Sequence, residues 1–125
     1  MNLYNFQFEF KIGGFRSNCY NISNINKSLI SIVSYSYGPF LYQLNSEPLD
    51  SEWTKFWNLV DKLDIWQWKK EYIEQEIHDG SEWELMIDRK GKKRRRIYGS
   101  NLYPKNFKLI VDEIKNLSKI EEDLF

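Results

Sequence analysis

The segment Phe6-Gln7-Phe8-Glu9-Phe10-Lys11-Ile12 alternates apolar and polar residues without a break. A β-strand sends successive side chains to opposite faces, so this segment reads as a strand with one buried face and one wet face. Three phenylalanines and an isoleucine on one face need a broad apolar cover, which a strand cannot supply to itself. The rest of the chain must therefore provide partner strands beside it and helices above it. Gly13-Gly14 follows at once and predicts a tight hairpin turn. A weaker, more polar return strand is expected over 15–22, and a loop over 23–28. In 29–37, Leu29, Ser31, Val33, Tyr35 and Tyr37 alternate against Ile30, Ile32, Ser34 and Ser36. Gly38-Pro39 breaks this run, and 40–44 reads as a fourth strand. The first third is thus an expected antiparallel meander.

The pattern changes after Pro48. Asp50 can cap a helix, and Glu52 suits its first turn. Trp53, Phe56, Trp57, Val60 and Leu63 then fall on one helical stripe. Ile65, Trp66 and Trp68 cannot all share that stripe, so the helix should end near Asp64 and pass into a short connector. A further strand is expected over 72–77. Asp79-Gly80 marks a turn, Trp83, Leu85 and Ile87 alternate as a strand, and Gly99-Ser100-Asn101 leaves the sheet. Pro104 suits the first turn of a second helix, whose stripe is Phe107, Ile110, Val111, Ile114 and Leu117. The tail 118–125 is expected to fray or to cap the helix end. These elements predict one α+β domain over 1–125: a mainly antiparallel sheet with two helices packed on one face.

Composition narrows the function classes. With 125 residues there is room for one core. No apolar run approaches the length of a membrane span, and the first ten residues lack the basic start of a secretory signal. One cysteine, Cys19, cannot close an internal disulfide, and His78 alone is too little company for a zinc site. A cytoplasmic protein without metal or cofactor is the expectation. The chain has no alanine and is rich in Asn, Lys, Ile and Tyr, which matches the coding bias of an AT-rich bacterial or phage genome. Eighteen basic residues balance eighteen acidic ones, so the overall basic excess of a dedicated nucleic-acid binder is missing.

Charge is nevertheless concentrated locally. Seven of the eight residues from Arg89 to Arg96 are Arg or Lys, interrupted only by Gly91. A three-residue loop 89–91, with Gly91 left-handed, would set Asp88 opposite Lys92, Met86 opposite Arg94 and Glu84 opposite Arg96. On the other face Ile87 would meet Lys93, Leu85 would meet Arg95, and Trp83 would meet Ile97. Part of the cluster then has acidic partners and guards a sheet edge. Lys90, Lys93 and Arg95 are left without acidic partners. Lys90, Lys92, Lys93, Arg94, Arg95 and Arg96 are thus the candidate contacts for a nucleic acid.

Aromatic residues make up 17% of the chain, more than the predicted stripes absorb. Tyr35, Tyr37, Tyr42, Trp66, Trp68, Tyr72, Tyr98 and Tyr103 are the surplus, and Trp and Tyr are enriched at protein-binding hot spots. The first six are the candidate partner-binding residues. A catalytic kit is not evident. The one histidine, His78, stands beside a turn. No glycine-rich phosphate loop precedes a helix. Glu121-Glu122 reads as a solvated helix end, and Glu74, Glu76 and Asp79 near His78 make a weak metal set.

The run "DGSEWELMI" followed by "GKKRRRIYGSNLYPKNFKLIVDEIKNL", with "WQWKKEY" upstream, resembles a pattern of small bacterial proteins. That pattern joins an Asp-Gly turn, a Trp-x-Leu strand, a Gly-Ser-Asn-x-Tyr-Pro-x-Asn-Phe turn and a closing helix. The resemblance covers the C-terminal half and implies a structural family without an attached activity. The leading expectation is a small protein-binding module that occludes a partner protein, in the manner of bacterial immunity or phage anti-defence proteins. It is expected to be a monomer or small homo-oligomer and not an enzyme. The alternatives are a nucleic-acid or guide-RNA binder acting through the basic hairpin, and an enzyme of unfamiliar type.

Overall fold

The computed structural model describes residues 5–76 and 80–125. It is an α+β fold with a seven-stranded sheet, two α-helices and a short 3-10 turn. The strands are β1 (Phe6–Gly14), β2 (Asn18–Ile25), β3 (Ser28–Tyr35), β4 (Phe40–Ser46), β5 (Glu71–Ile73), β6 (Ser81–Arg89) and β7 (Arg95–Ser100). Helix α1 spans Asp50–Lys62, the 3-10 turn Ile65–Gln67, and helix α2 Phe107–Ser118. The sheet order is β4-β3-β2-β1-β6-β7-β5, and every pairing is antiparallel except β5 with β7. The expected meander is present as β1 to β4.

Strand β1 lies at the centre, and its alternation sets the core. Phe6, Phe8, Phe10 and Ile12 are all buried. Phe6 packs on Trp53 with ring centroids 4.6 Å apart, and Phe8 packs on Phe56 at 5.1 Å. Phe10 lies 6.3 Å from Phe107. One strand face therefore carries both helices, α1 over its first half and α2 over its second. Tilted and edge-to-face pairs of this kind add about 0.5–1.5 kcal/mol each beyond the area they bury.

Several local expectations shift. Gly13 and Gly14 belong to β1, and the left-handed turn residue is Arg16, at φ 54°. Asp50 is the first residue inside α1, and its carboxylate takes the Lys27 ammonium at 2.9 Å. The cap is made by Glu52, whose Oε1 accepts the Leu49 N–H at 2.9 Å. Pro104 precedes α2 in a separate turn, where its carbonyl accepts the Phe107 N–H at 3.1 Å. The tail does not fray. Lys119 is left-handed at φ 64°, which turns the chain back, and Ile120 and Leu124 are buried in the core. The fifth strand is three residues long, and Ile77 lies outside the described residues.

The basic hairpin also has a different register. Met86 pairs with Arg96, Leu85 with Ile97 and Ile87 with Arg95, a slip of two residues from the expected pairing. A two-residue slip keeps every side chain on its own face, so the apolar pattern does not distinguish the two registers. Arg89 decides between them. It is the last residue of β6, opposite Phe6 on the core face, and the loop becomes 90–94. Gly91, at φ 88°, is left-handed as expected.

The motif in the C-terminal half is a packing unit. The Trp83 indole N–H donates to the Leu102 carbonyl at 3.0 Å, and its ring lies 4.6 Å from Phe107. Asn101, left-handed at φ 58°, accepts the Ser81 N–H on its side-chain oxygen at 2.7 Å. Tyr103 and Ser81 share a hydroxyl hydrogen bond. Gly99 lies directly beneath the Trp83 ring, and a Cβ there would sit 1.9 Å from the indole nitrogen. Gly99→Ala is thus expected to lower unfolding free energy by about 3 kcal/mol through overpacking. The measurement is a urea melt, with a lowered midpoint at an unchanged slope.

Candidate binding surfaces

The six aromatic residues singled out by sequence do not form one surface. Tyr35 and Tyr42 belong to β3 and β4, at one edge of the sheet, and Tyr37 lies in the turn between them. Trp66, Trp68 and Tyr72 lie at the other edge, beside β7. The second group is largely spent on the core. Left-handed Asp64, at φ 55° and ψ 41°, ends the α1 stripe and redirects the chain. The 3-10 turn then returns Ile65 and Trp66 to the interior. Trp66 is only 7% exposed, stacks on Trp57 at 14° between planes, and donates its N–H to Asp61 at 2.9 Å. Tyr72 packs on Trp83 with centroids 5.9 Å apart, and its hydroxyl accepts the Lys69 N–H at 3.0 Å. Trp68 packs partly against the core.

Arg89 locks this corner. Its guanidinium reaches both oxygens of Asp61, at 2.9 and 3.1 Å. It also stands 5.3 Å from the Trp57 ring centre and 5.4 Å from that of Trp66. Nothing in the sequence pattern separates this arginine from its basic neighbours. The sequence pattern places it in the loop, and its core-facing position follows from β6 running on through residue 89.

The meander edge is different. Strand β4 is the last strand of the sheet, and its sequence Phe-Leu-Tyr-Gln-Leu-Asn-Ser contains no charged residue. Phe40 is 65% exposed and Leu41 47%. Tyr35, at the end of β3, is exposed beside it, whereas Phe15 and Tyr37, in the turns at that end of the meander, line a depression with Gly80, Glu82, Ser100 and Asn101. Those turns are fastened to each other. The Ser36 N–H donates to the Ser17 carbonyl at 2.7 Å, and the Arg16 N–H to the Ser36 hydroxyl at 3.1 Å. The Tyr37 N–H donates to the buried Cys19 sulfur at 3.2 Å. Burial, then the neighbouring Cys19, Glu82 and Tyr98, push the Tyr37 phenol up to about 12. Tyr42 is tethered through its hydroxyl to Glu122, which is therefore a structural contact as well as a tail residue. Burial and that carboxylate raise the Tyr42 phenol.

The opposite edge is basic. Because β5 pairs only with Tyr98, Gly99 and Ser100, the start of β7 has no described strand outside it. A groove here measures about 630 Å³. It is lined by Trp68, Lys70, Lys93, Arg94, Arg95 and Arg96. Arg94 pairs with Asp88 at 2.9 Å and Arg96 with Glu84 at 2.6 Å, so two of the expected acidic partners are engaged. Lys92 is not opposite Asp88. It stands 5.9 Å from the Trp66 ring centre. Arg95, expected to lack partners, donates to the Trp66 carbonyl at 2.8 Å and to that of Trp68. Lys70, Lys90 and Lys93 form no ion pair among the described residues. Sequence reasoning missed Lys70, because only the fold brings it beside the hairpin.

No family model and no curated protein matches this chain.

Other candidates are less well placed. Among the described residues no three His, Cys, Asp or Glu side chains gather as metal ligands. His78 and Asp79 lie outside the described residues. No described helix is long and apolar enough to cross a membrane.

Asp61 supplies a test of the Arg89 lock. Burial raises its pKa, but hydrogen bonds from Arg89 and Trp66 and the charges of Arg89 and Lys92 outweigh it and hold the carboxyl below its ordinary value. The folded protein then binds this proton less readily than the unfolded chain, which titrates at about pH 4. The stabilisation is full above that pH and is lost as pH falls through the depressed folded value. Asp61→Asn should remove that part of the acid limb. The stability gap between the two proteins, from denaturant melts, should be widest near neutrality and narrow toward pH 2.

Proposed function

We propose that this protein is a binding module that docks a partner protein along β4 and occludes the segment it pairs with, as immunity and anti-defence inhibitors do. The observation that carries this reading is the contrast between the two sheet edges. An open edge presents unpaired backbone N–H and C=O groups, and proteins usually guard such an edge with charge, proline or a covering element. On the far side β5 covers the end of β7, and the uncovered start of β7 is guarded with arginines. The seven residues of β4 have no charge at all, and Phe40 and Leu41 project from them into solvent.

An extended segment of a partner can add to such an edge through main-chain hydrogen bonds, while side-chain contacts select it. Burying an apolar side chain of this size contributes about 1.5–3 kcal/mol. The turn that leads into β4 is fixed by hydrogen bonds from Ser36 to Ser17 and from Tyr37 to Cys19, so little ordering entropy opposes association. The C-terminal motif does not contribute to this function. Its residues are engaged in packing.

Phe40→Lys with Leu41→Lys tests the reading, because both side chains are exposed and their loss leaves the core intact. An Asn58→Lys, Asn116→Lys protein carries the same added charge on the helices. Cross-linking capture from the source lysate, with nuclease present, should recover a protein partner with the wild type and the control. The β4 variant should lose it by at least about tenfold. Equal recovery with all three proteins would refute docking along β4. Light scattering reads the homo-oligomer case directly, as a dimer that the β4 variant dissociates.

A further inference from the structure

We propose that the groove between Trp68 and the start of β7 binds the phosphate backbone of a single-stranded nucleic acid, with a base laid against Trp68. This site is separate from the β4 edge and lies at the far side of the sheet. Five of its six lining residues are cationic, and none is acidic, in a chain whose net charge is zero. Local concentration of charge against a neutral background is the electrostatic footprint of a polyanion site.

The five cations have different tasks. Arg95 is fixed on the Trp66 and Trp68 carbonyls and holds the tryptophan-bearing connector against β7. Arg94 and Arg96 are steered by Asp88 and Glu84, which position them and offset part of their charge. Lys70 and Lys93 have no acidic partner among the described residues and sit on opposite walls, one on the connector and one on the hairpin loop. Phosphates passing between these walls would meet both ammonium groups and the guanidinium edges.

The geometry favours a single strand. A groove with one aromatic wall suits an unstacked base, and aromatic stacking beside basic residues is the usual means of holding single strands without sequence preference. A duplex keeps its bases stacked and out of reach of Trp68. An acidic peptide would need an open strand edge to gain main-chain bonds. Here β5 already takes residues 98–100 of β7, which leaves 95–97, too short a stretch to seat one.

The test is fluorescence anisotropy of a labelled oligo(dT) of about 15 nucleotides, titrated with the full chain between about 25 and 200 mM salt. About three neutralised phosphates predict a slope of log affinity against log salt near −2. Lys70→Glu with Lys93→Glu should weaken binding at least about tenfold, because each adds repulsion as well as removing a contact. Lys62→Glu with Lys105→Glu makes the same change in net charge away from the groove and should weaken it much less. Absence of binding by the folded wild type at low salt would overturn the proposal, as would equal losses in the two variants. Tighter binding of a duplex of the same length, or displacement by poly-glutamate as effective as by unlabelled oligonucleotide, would also overturn it.

Discussion

The contact between the buried face of β1 and the aromatic stripes of the two helices is the constraint on which the other elements depend. Phe6, Phe8 and Phe10 touch Trp53, Phe56, Trp57 and Phe107 directly. Because β1 occupies the middle of the sheet, the helices must sit on that one face, and strands must flank β1 on both sides to satisfy its backbone. The meander closes one side, and β6 with β7 closes the other. A core without alanine is filled by large rings, which explains how a small domain accommodates so many aromatic residues. Trp66, Tyr72 and Tyr103, surplus to the predicted stripes, are absorbed at its margins.

Most of this architecture is legible in the sequence, because it rests on periodicity. The alternation in β1 and the stripes of α1 and α2 are strong, and the four-strand meander follows from the spacing of turn residues. The failures have a common origin in features that periodicity does not encode. A two-residue slip in the basic hairpin leaves the facing pattern unchanged, so only the long-range partners of Arg89 reveal the register. The capping role of Glu52, the late start of α2 and the return of the tail are set by single backbone conformations. Asp64, Asn106 and Lys119 are left-handed without being glycine; Asp and Asn tolerate that conformation, but nothing in the pattern marks which of the many in this chain adopt it.

The candidate surfaces were legible in their ingredients and not in their assembly. The basic run was visible at once, yet the groove includes Trp68 and Lys70 from a separate part of the chain. The aromatic surplus was visible too, yet Trp66 and Tyr72 pack inward while Phe15, Phe40 and Leu41 face solvent. Exposure depends on sheet order, and sheet order depends on which strand lies outermost. The two edges carry opposite chemistry, one uncharged and apolar, the other densely cationic. On the readings proposed above, that polarity would give one small sheet two surfaces of different chemistry.

The pairing of β1 with β6 has a kinetic consequence. Phe6 meets Arg89 and Gly14 meets Ser81, so the longest ladder in the sheet joins segments far apart in sequence. The meander can form early from neighbouring hairpins, and α1 can follow it locally. Until β6 arrives, β1 is itself an exposed edge lined with phenylalanines. Closure of that distant pair costs chain entropy before any contact rewards it, which makes it the natural slow step of folding. An intermediate stalled there would present two sticky edges at once, β1 and β4, and would be the species most prone to associate with its own copies.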